Sequence, residues 1–344
     1  MNDFSLLMSS ASIIQTRAVA ILEKWKNEKT SHLPALTPYI DLFTDSISGG
    51  KTIRGLLVTL GFKLNGHKEN ANILDIAAAF EIAHAALLVQ DDVMDKSPLR
   101  RGKPSYYYAL GADHHGVSQA ICIGDLGLML SMSVISNSNF DPIIKNNAAS
   151  VFIDIILKTI LGQMLDAHFA HRESPKSEDE ILQMYKHKTA QYTISGPLLV
   201  GAILAGSKPG LQQQIKAFGE NLGVAFQIKD DILGVFGDEK IVGKSVFTDI
   251  KEGKNTLLYI HTLQEADRSE RKTLASYYGN SKLTDKQGAV VKGVLEKASL
   301  PYCQAILKTY VDQAKNLVPG VTSHNTKLAP VFYKLCDYLT ERDK

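Results

Sequence analysis

The chain has little of several things, and each shortage excludes something. Of 344 residues only three are cysteine (Cys122, Cys303 and Cys336), scattered, odd in number and without CxxC spacing. That argues against a disulfide framework or a zinc site and fits a reducing cytosol, so a cytoplasmic location is expected. The net charge is only +2, so no global basic field points to nucleic acid or a membrane surface. Any electrostatic work must be local. The first residues, MNDFSLLMSS, lack the basic region of a signal peptide. The longest uncharged stretch, Thr189 to Ser207, is interrupted by Gln191, Thr193, Ser195 and Gly196-Pro197. It reads as buried helix, and no transmembrane segment is expected. Strictly alternating runs rich in Val, Ile and Thr are missing, so strands should be scarce.

What is present is helical patterning. Hydrophobic residues make up 44% and charged residues 22%, enough to bury a large core. Segments 73–90, 117–135, 147–170, 178–195, 211–233 and 254–266 are apolar with polar residues at helical spacing. Gly- and Pro-containing breaks separate them, at Ser48-Gly49-Gly50, Gly66-His67, Ser97-Pro98, Arg101–Pro104, Ser174-Pro175, Gly206–Gly210 and Gly234–Gly243. No composition shift or long linker divides the chain. The expectation is an all-α fold, one domain over residues 1–344 with about ten or more helices.

Two aspartate pairs end apolar helical stretches: Asp91-Asp92 in QDDVMD, and Asp230-Asp231 in FQIKDDILG. Asp91 and Asp95 share a helix face at i and i+4, with Asp92 about 100° round the axis. Two such helices facing each other would place several carboxylates around one space, tolerable only with neutralising cations. Oxygen ligands with room for phosphate suit Mg²⁺. Basic groups follow: Lys51 and Arg54 in GGKTIRG, Arg100-Arg101 in LRRG, Lys188 in HKTA, and Lys244 and Lys254 in GKSVFTDIKEGKNT. Arginine offers phosphate a bidentate contact and lysine a point charge. The set describes a site for Mg²⁺-diphosphates. GGKT and GKS look like the tail of a P-loop, but the positions that need glycine are Asp45 and Asp238, so that motif fails twice. The His114-His115 and His168/His171 pairs read as structural or surface groups.

Together these residues resemble the trans-isoprenyl diphosphate synthases, or polyprenyl synthetases. The likeness spans about 48–256 and includes GGKTIR, EIAHAALLVQDDVMD, LRRGKPS, Gly124-Asp125, GQMLD, HKTA, FQIKDD and GKSVFTDIKEGKNT, in the family's order. It implies a helical bundle around a deep apolar cavity, usually a homodimer. It also implies head-to-tail condensation of isopentenyl diphosphate with an allylic diphosphate, with release of diphosphate. By the resemblance, Asp91, Asp92 and Asp95 would hold two Mg²⁺, and Asp230 with Asp231 a third. Arg100, Lys188, Lys244 and Lys254 would contact the allylic diphosphate, with Gln163 and Asp166 lining the same space. Lys51, Arg54, His84 and Arg101 would bind isopentenyl diphosphate. Lys188, Thr189 and Gln227 would be catalytic, the last two turning oxygen dipoles toward the developing cation.

Two departures stand out. Gly234 replaces the last acid of the second motif, with Asp238 or Asp249 as candidate substitutes, and Gln90 stands where the family often has His. Product length in this family depends on the helix before the first acids, here Ala79, Ala83, Ala86 and Leu87. The alanine stripe reaches about 18 Å above Asp91. It either lines a groove suited to geranylgeranyl diphosphate (C20) or somewhat longer, or it permits close helix packing. A terpene cyclase would lack the second aspartate pair and the Lys51/Arg54/Arg101 set. An inactive partner subunit would lack the first acids.

Overall fold

The structure is a computed structural model describing residues 3–170, 177–237 and 247–340. It is almost wholly helical. Among the described residues the one sheet is a two-stranded ribbon. Its contacts group into two compact units.

The first unit comprises Met1–Asp154, Gly196–Ile215 and Val321–Leu328. It holds α1 (Asp3–Thr30), α2 (Thr37–Ile47), α3 (Ile53–Lys63), α4 (Ala71–Met94), the ribbon β1 (Leu99–Arg100) and β2 (Lys103–Pro104), α5 (Tyr106–Ala109), α6 (His114–Ser136), the start of α7 (Pro142–Ala170), α9 (Gly196–Leu204) and the start of α10 (Pro209–Phe236). The second unit comprises Ile155–Ser195, Lys216–Gly320 and Ala329–Lys344. It holds the rest of α7, α8 (Glu178–Tyr185), a π-helical segment (Lys186–Ser195), the rest of α10, α11 (Thr248–Glu252), α12 (Leu257–Glu265), α13 (Arg268–Tyr277), α14 (Asp285–Ala298), most of α15 (Leu300–Val321), and α16 (Ala329–Thr340).

Each predicted segment forms a helix with shifted ends, save one. Segment 178–195 is α-helical only to Tyr185 and then widens into the π segment. Such bulges recur at functional sites.

Small residues set the packing. In the first unit a Cβ on Gly61 would collide with the Leu198 carbonyl, and one on Gly201 with that of Val58. These glycines bring the backbones of α3 and α9 together. In the second unit Cβ atoms on Gly162, Gly219 and Gly223 would collide with Lys188, Ser195 and Ala190. Glycines on α7 and α10 therefore admit the π segment and hold it. The core of the second unit includes Ala190 of this segment with Ile181, Tyr185, Ile228, Ile250 and Leu257.

Candidate active site

In the first unit, α4 starts at Asn70, whose side chain caps it by accepting from the Ile73 N–H. It ends in a Schellman motif: the Ser97 N–H donates to the Asp92 carbonyl (2.9 Å), and that of Lys96 to Val93 (3.3 Å). Lys96 takes the left-handed conformation there (φ 52°). Asp91 and Asp95 are half-buried, whereas Asp92 is buried. The 100° offset read from the sequence thus separates two environments.

The ribbon has a two-residue turn, Arg101-Gly102, both with positive φ (54° and 75°), the I′ geometry that matches strand twist. The turn sends adjacent arginines to different places. Arg100 Nε lies 2.9 Å and Nη2 2.5 Å from Asp92 Oδ1, with Asp91 Oδ2 3.4 Å from Nη2. Burial alone would lower the Arg100 pKa, but the hydrogen bond and charge of Asp92, with Asp91 and Asp95, raise it. Arg101 instead donates to the Ser46 and Ser48 carbonyls (3.4 and 3.2 Å) and lies against Gly50. That loop is held by Gln15, which donates to the Gly50 carbonyl and the Thr52 hydroxyl (2.9 and 2.8 Å). Lys51 is exposed on the loop and Arg54 is half-buried in the first turn of α3.

His84, one turn-pair before Asp91, is held neutral: burial first, then Arg54, Arg101 and Arg100, push its pKa well below the usual imidazole range. A buried carboxylate absent from the expected site lies nearby. Glu81 accepts from the Gly55 N–H (2.7 Å), and burial raises its pKa against the lowering pull of that bond and of Arg54 and Arg101. Its signal in the sequence was its isolation: an acid within AAAFEIAHAA.

The first unit also holds a cavity of about 450 Å³ bounded by α2, α4, the ribbon and α5. Its α4 wall is Ala85, Leu88, Val89 and Asp92, and Arg100 and Arg101 also line it. The alanine stripe lies elsewhere. Ala79, Ala83 and Ala86 are fully buried, and a Cβ on Gly127 of α6 would come within 2.7 Å of the Ala86 Cβ and 2.9 Å of the Phe43 ring. The alanines do pack closely against neighbours. Leu87, one turn before Asp91 on its face, is only half-buried. Gln90 donates to Asp125 (3.0 Å), tying α4 to α6.

In the second unit two of the three catalytic candidates, Thr189 and Gln227, lie on one hydrogen-bonded chain. The Thr189 hydroxyl donates to Gln227 Oε1 (2.6 Å), and Gln227 Nε2 donates to Asp231 Oδ1 (2.8 Å). The Tyr185 hydroxyl donates to Asp231 Oδ2 and accepts from the Leu257 N–H (2.8 Å). Thr189 spends its single proton on Gln227, so its oxygen presents lone pairs. Asp231 is 7% exposed, and its pKa is pushed up to about 7. Burial is the largest cause, opposed by the Tyr185 and Gln227 bonds and aided by Asp249 and Asp230. Tyr185 was not anticipated, because nothing in MYKHKTA marks it. Asp230 is half-buried. Lys188 pairs with Asp166, its backbone lies against Gly162, and Gln163, next to Gly162 in sequence, is half-buried. Lys254 lies 3.5 Å from Asp249 and 3.1 Å from Glu252. Lys244 and Asp238 lie outside the described residues.

The donors suit Mg²⁺ held jointly with substrate. Among the described residues no three His, Cys, Asp or Glu side chains form a closed metal group. Mg²⁺ is commonly held by one or two carboxylates together with phosphate oxygens and water.

Comparison with known proteins agrees with this chemistry. The polyprenyl synthetase family model matches residues 38–298. Geranylgeranyl diphosphate synthase of Sulfolobus acidocaldarius is 34% identical over 88% of this chain and 89% of its own. Geranylfarnesyl diphosphate synthase of Aeropyrum pernix is 30% identical over 86% and 92%. A Corynebacterium glutamicum geranylgeranyl pyrophosphate synthase, solved with isoprenyl diphosphate and magnesium, superposes with TM-score 0.85 at 27% identity, covering 98% of this chain and 99% of its own. With its all-α fold and ordered acidic and basic motifs, the chain belongs to the polyprenyl synthetase family and is a trans-prenyltransferase.

Proposed function

We propose that this enzyme condenses isopentenyl diphosphate with dimethylallyl, geranyl or farnesyl diphosphate to give an all-trans product of C20 or somewhat longer. The observation that carries the reading is the divided arginine pair: Arg100 sits on Asp91 and Asp92, while Arg101 sits on the Gly50 loop. Adjacent cations aimed at separate clusters suit two diphosphates.

Asp91 and Asp95 would hold two Mg²⁺, and Arg100, anchored by Asp92, would meet the allylic diphosphate. Asp230 would hold a third ion, and Asp231 accepts from Gln227 and fixes it. When bound, the ions supply charge that stabilises the departing diphosphate. By the resemblance, Lys188, Lys244 and Lys254 would neutralise an allylic diphosphate, with Gln163 and Asp166 lining its space. Lys51, Arg54, Arg101 and neutral His84 receive isopentenyl diphosphate. Thr189 and Gln227 turn fixed oxygen dipoles toward the developing cation, preorganised through Asp231 and Tyr185. Condensation then requires loss of a proton, for which the departing diphosphate is a suitable base.

Among the described residues three helices, α4, α6 and α7, are long and apolar enough to cross a membrane by length and composition. The apolar window of α4 is 67% buried inside the protein, that of α7 only 33%. The exposed stripe on α7 (Ile153, Leu157, Leu161, Met164) follows helical spacing and fits burial in a homodimer. The three free thiols, one of them the exposed Cys122, support a reducing cytoplasm.

The test is purified protein with Mg²⁺, isopentenyl diphosphate and primers of different length. Prenyl diphosphates of C20 or longer support the reading. Hydrocarbons or alcohols would show a cyclase, and no turnover a non-catalytic subunit.

A further inference from the structure

The short link Gly-Lys-Asn-Thr, residues 253–256, joins α11 to α12, and Lys254 is the cation it carries. Irregular backbone keeps much of its conformational freedom unless other segments hold it. Here they do. The Asn255 side chain donates to the Phe169 carbonyl near the end of α7 (2.8 Å). Thr256 caps α12 by accepting from the Tyr259 N–H (3.3 Å), and the Leu257 N–H donates to the Tyr185 hydroxyl (2.8 Å). On the other side, the Lys254 N–H donates to the Asp249 carbonyl (3.1 Å).

The carbonyl of Lys254 is held from further along the chain. Tyr278, the residue that follows α13, donates its hydroxyl to that carbonyl (2.5 Å). The bond spans 24 residues and comes from beyond the last motif of the sequence. The tyrosine is itself fixed. Its ring stacks on Tyr259, with centroids 4.0 Å apart and planes 9° apart. Its N–H donates to the Leu274 carbonyl (2.8 Å), and the Gly279 N–H donates to that of Ile250 (2.8 Å). Gly253 and Gly279 both have positive φ (67° and 80°), and a Cβ on Gly253 would come within 3.0 Å of the Gly279 Cα, so the two turns meet backbone to backbone. Burial first, then Asp249, Tyr259 and Asp231, push the Tyr278 pKa well above the usual phenol range. The hydroxyl therefore keeps its proton and stays a donor.

We propose that Tyr278 is a positioning residue for the allylic substrate: its hydroxyl fixes the Lys254 carbonyl, and with it the point from which the Lys254 ammonium reaches the diphosphate. The proposal rests on reading Lys254 as a contact of the allylic diphosphate. It gives a part in the site to the chain beyond residue 256, where no motif stands. A flexible lysine binds an anion best when its backbone is already in place, because less freedom is then lost on binding. Asp249 and Glu252 restrain the ammonium at one end of the residue, 3.5 and 3.1 Å away, and the phenol restrains the backbone at the other.

The experiment is steady-state kinetics of the full chain with Mg²⁺, varying isopentenyl diphosphate and farnesyl diphosphate in turn, with thermal melts as the folding control. The variants are Tyr278→Phe, Lys254→Ala and the two combined. Tyr278→Phe keeps the ring on Tyr259 and removes only the hydroxyl. It should raise the KM for farnesyl diphosphate by about 3–10-fold, the worth of one neutral hydrogen bond, and leave the KM for isopentenyl diphosphate unchanged. Added to Lys254→Ala it should raise the farnesyl KM no further, because no ammonium is left to position. An unchanged farnesyl KM in Tyr278→Phe overturns the proposal. Equal rises for both substrates overturn it too, since a general loosening would give them. So does the same fold-rise in the Lys254→Ala background, which would show that the phenol does not act through the lysine. A loss in Lys254→Ala without one in Tyr278→Phe overturns this assignment alone. A loss in neither overturns the reading of Lys254 as well.

Discussion

The two Asp-Asp pairs use the same dipeptide and divide its labour in the same way, but they anchor the buried member differently. In each, the first aspartate is half-buried and the second is buried. Asp92 is 2% exposed and is met by the guanidinium of Arg100. Asp231 is held by a phenol and an amide, those of Tyr185 and Gln227. Charge anchors charge in the first unit, and neutral donors anchor a carboxyl in the second. Solvation explains the consequence: a buried carboxylate without a cationic partner favours its neutral form, so Asp231 is pushed up to about 7.

The comparison breaks most visibly if the first aspartates are not the reactive members. Asp91→Asn should cost on the order of 10²–10³-fold in kcat with little change in melting temperature, measured by isopentenyl incorporation and calorimetry. A wild-type rate would move the metal role elsewhere.

The next largest effect concerns the anchors. Arg100→Leu leaves Asp92 buried without its guanidinium and should destabilise the fold by about 3 kcal/mol in denaturant titration. Tyr185→Phe removes one neutral donor and should cost about 1–3 kcal/mol. Equal losses would erase the distinction between the two pairs.

The difference also has a pH signature. Asp231 titrates near 7 when folded and near 3.9 when unfolded, so the native state holds its proton more tightly. Its contribution to stability is fully present below about pH 4 and is lost as pH rises through about 7. Between pH 5 and 8, without divalent metal, the wild type should lose about 3 kcal/mol relative to Asp231→Asn. Parallel stability curves for the two proteins would remove the raised pKa.

Smaller effects separate neighbours on α4. Ala86→Phe meets Gly127 and Phe43 and should cost about 1–3 kcal/mol by overpacking. Leu87→Phe, on the face of Asp91, should instead shorten the product with less loss of stability. Product chromatography beside melts would show which residue meets the growing chain. Smallest of all, Lys96→Gly relieves a left-handed lysine at the end of α4 and should stabilise by about 1 kcal/mol.

The helices were legible because a local period of 3.6 residues is written in neighbouring residues. The proposed chemistry could be read because Mg²⁺-diphosphate binding demands particular residue types, and these stand in order along the chain. Even the separation of Asp92 from Asp91 and Asp95 followed from helix geometry. The anchors were not legible. Tyr185 is 46 residues from Asp231, and Glu81 lies 26 residues from the Gly55 amide it accepts from. Nothing local ties such pairs together. The widening at Lys186 depends on glycines of α7 and α10 that admit its backbone, a contact no periodicity encodes.

By itself, then, the sequence determined the all-α class, the family and the kinds of charge at the site. Only the tertiary structure decided which carboxylates became anchors, that the alanines of α4 pack against neighbours, and that Tyr278 holds the carbonyl of Lys254. Periodicity and residue type act over a few positions, whereas burial, desolvation and steric exclusion arise only when distant segments meet.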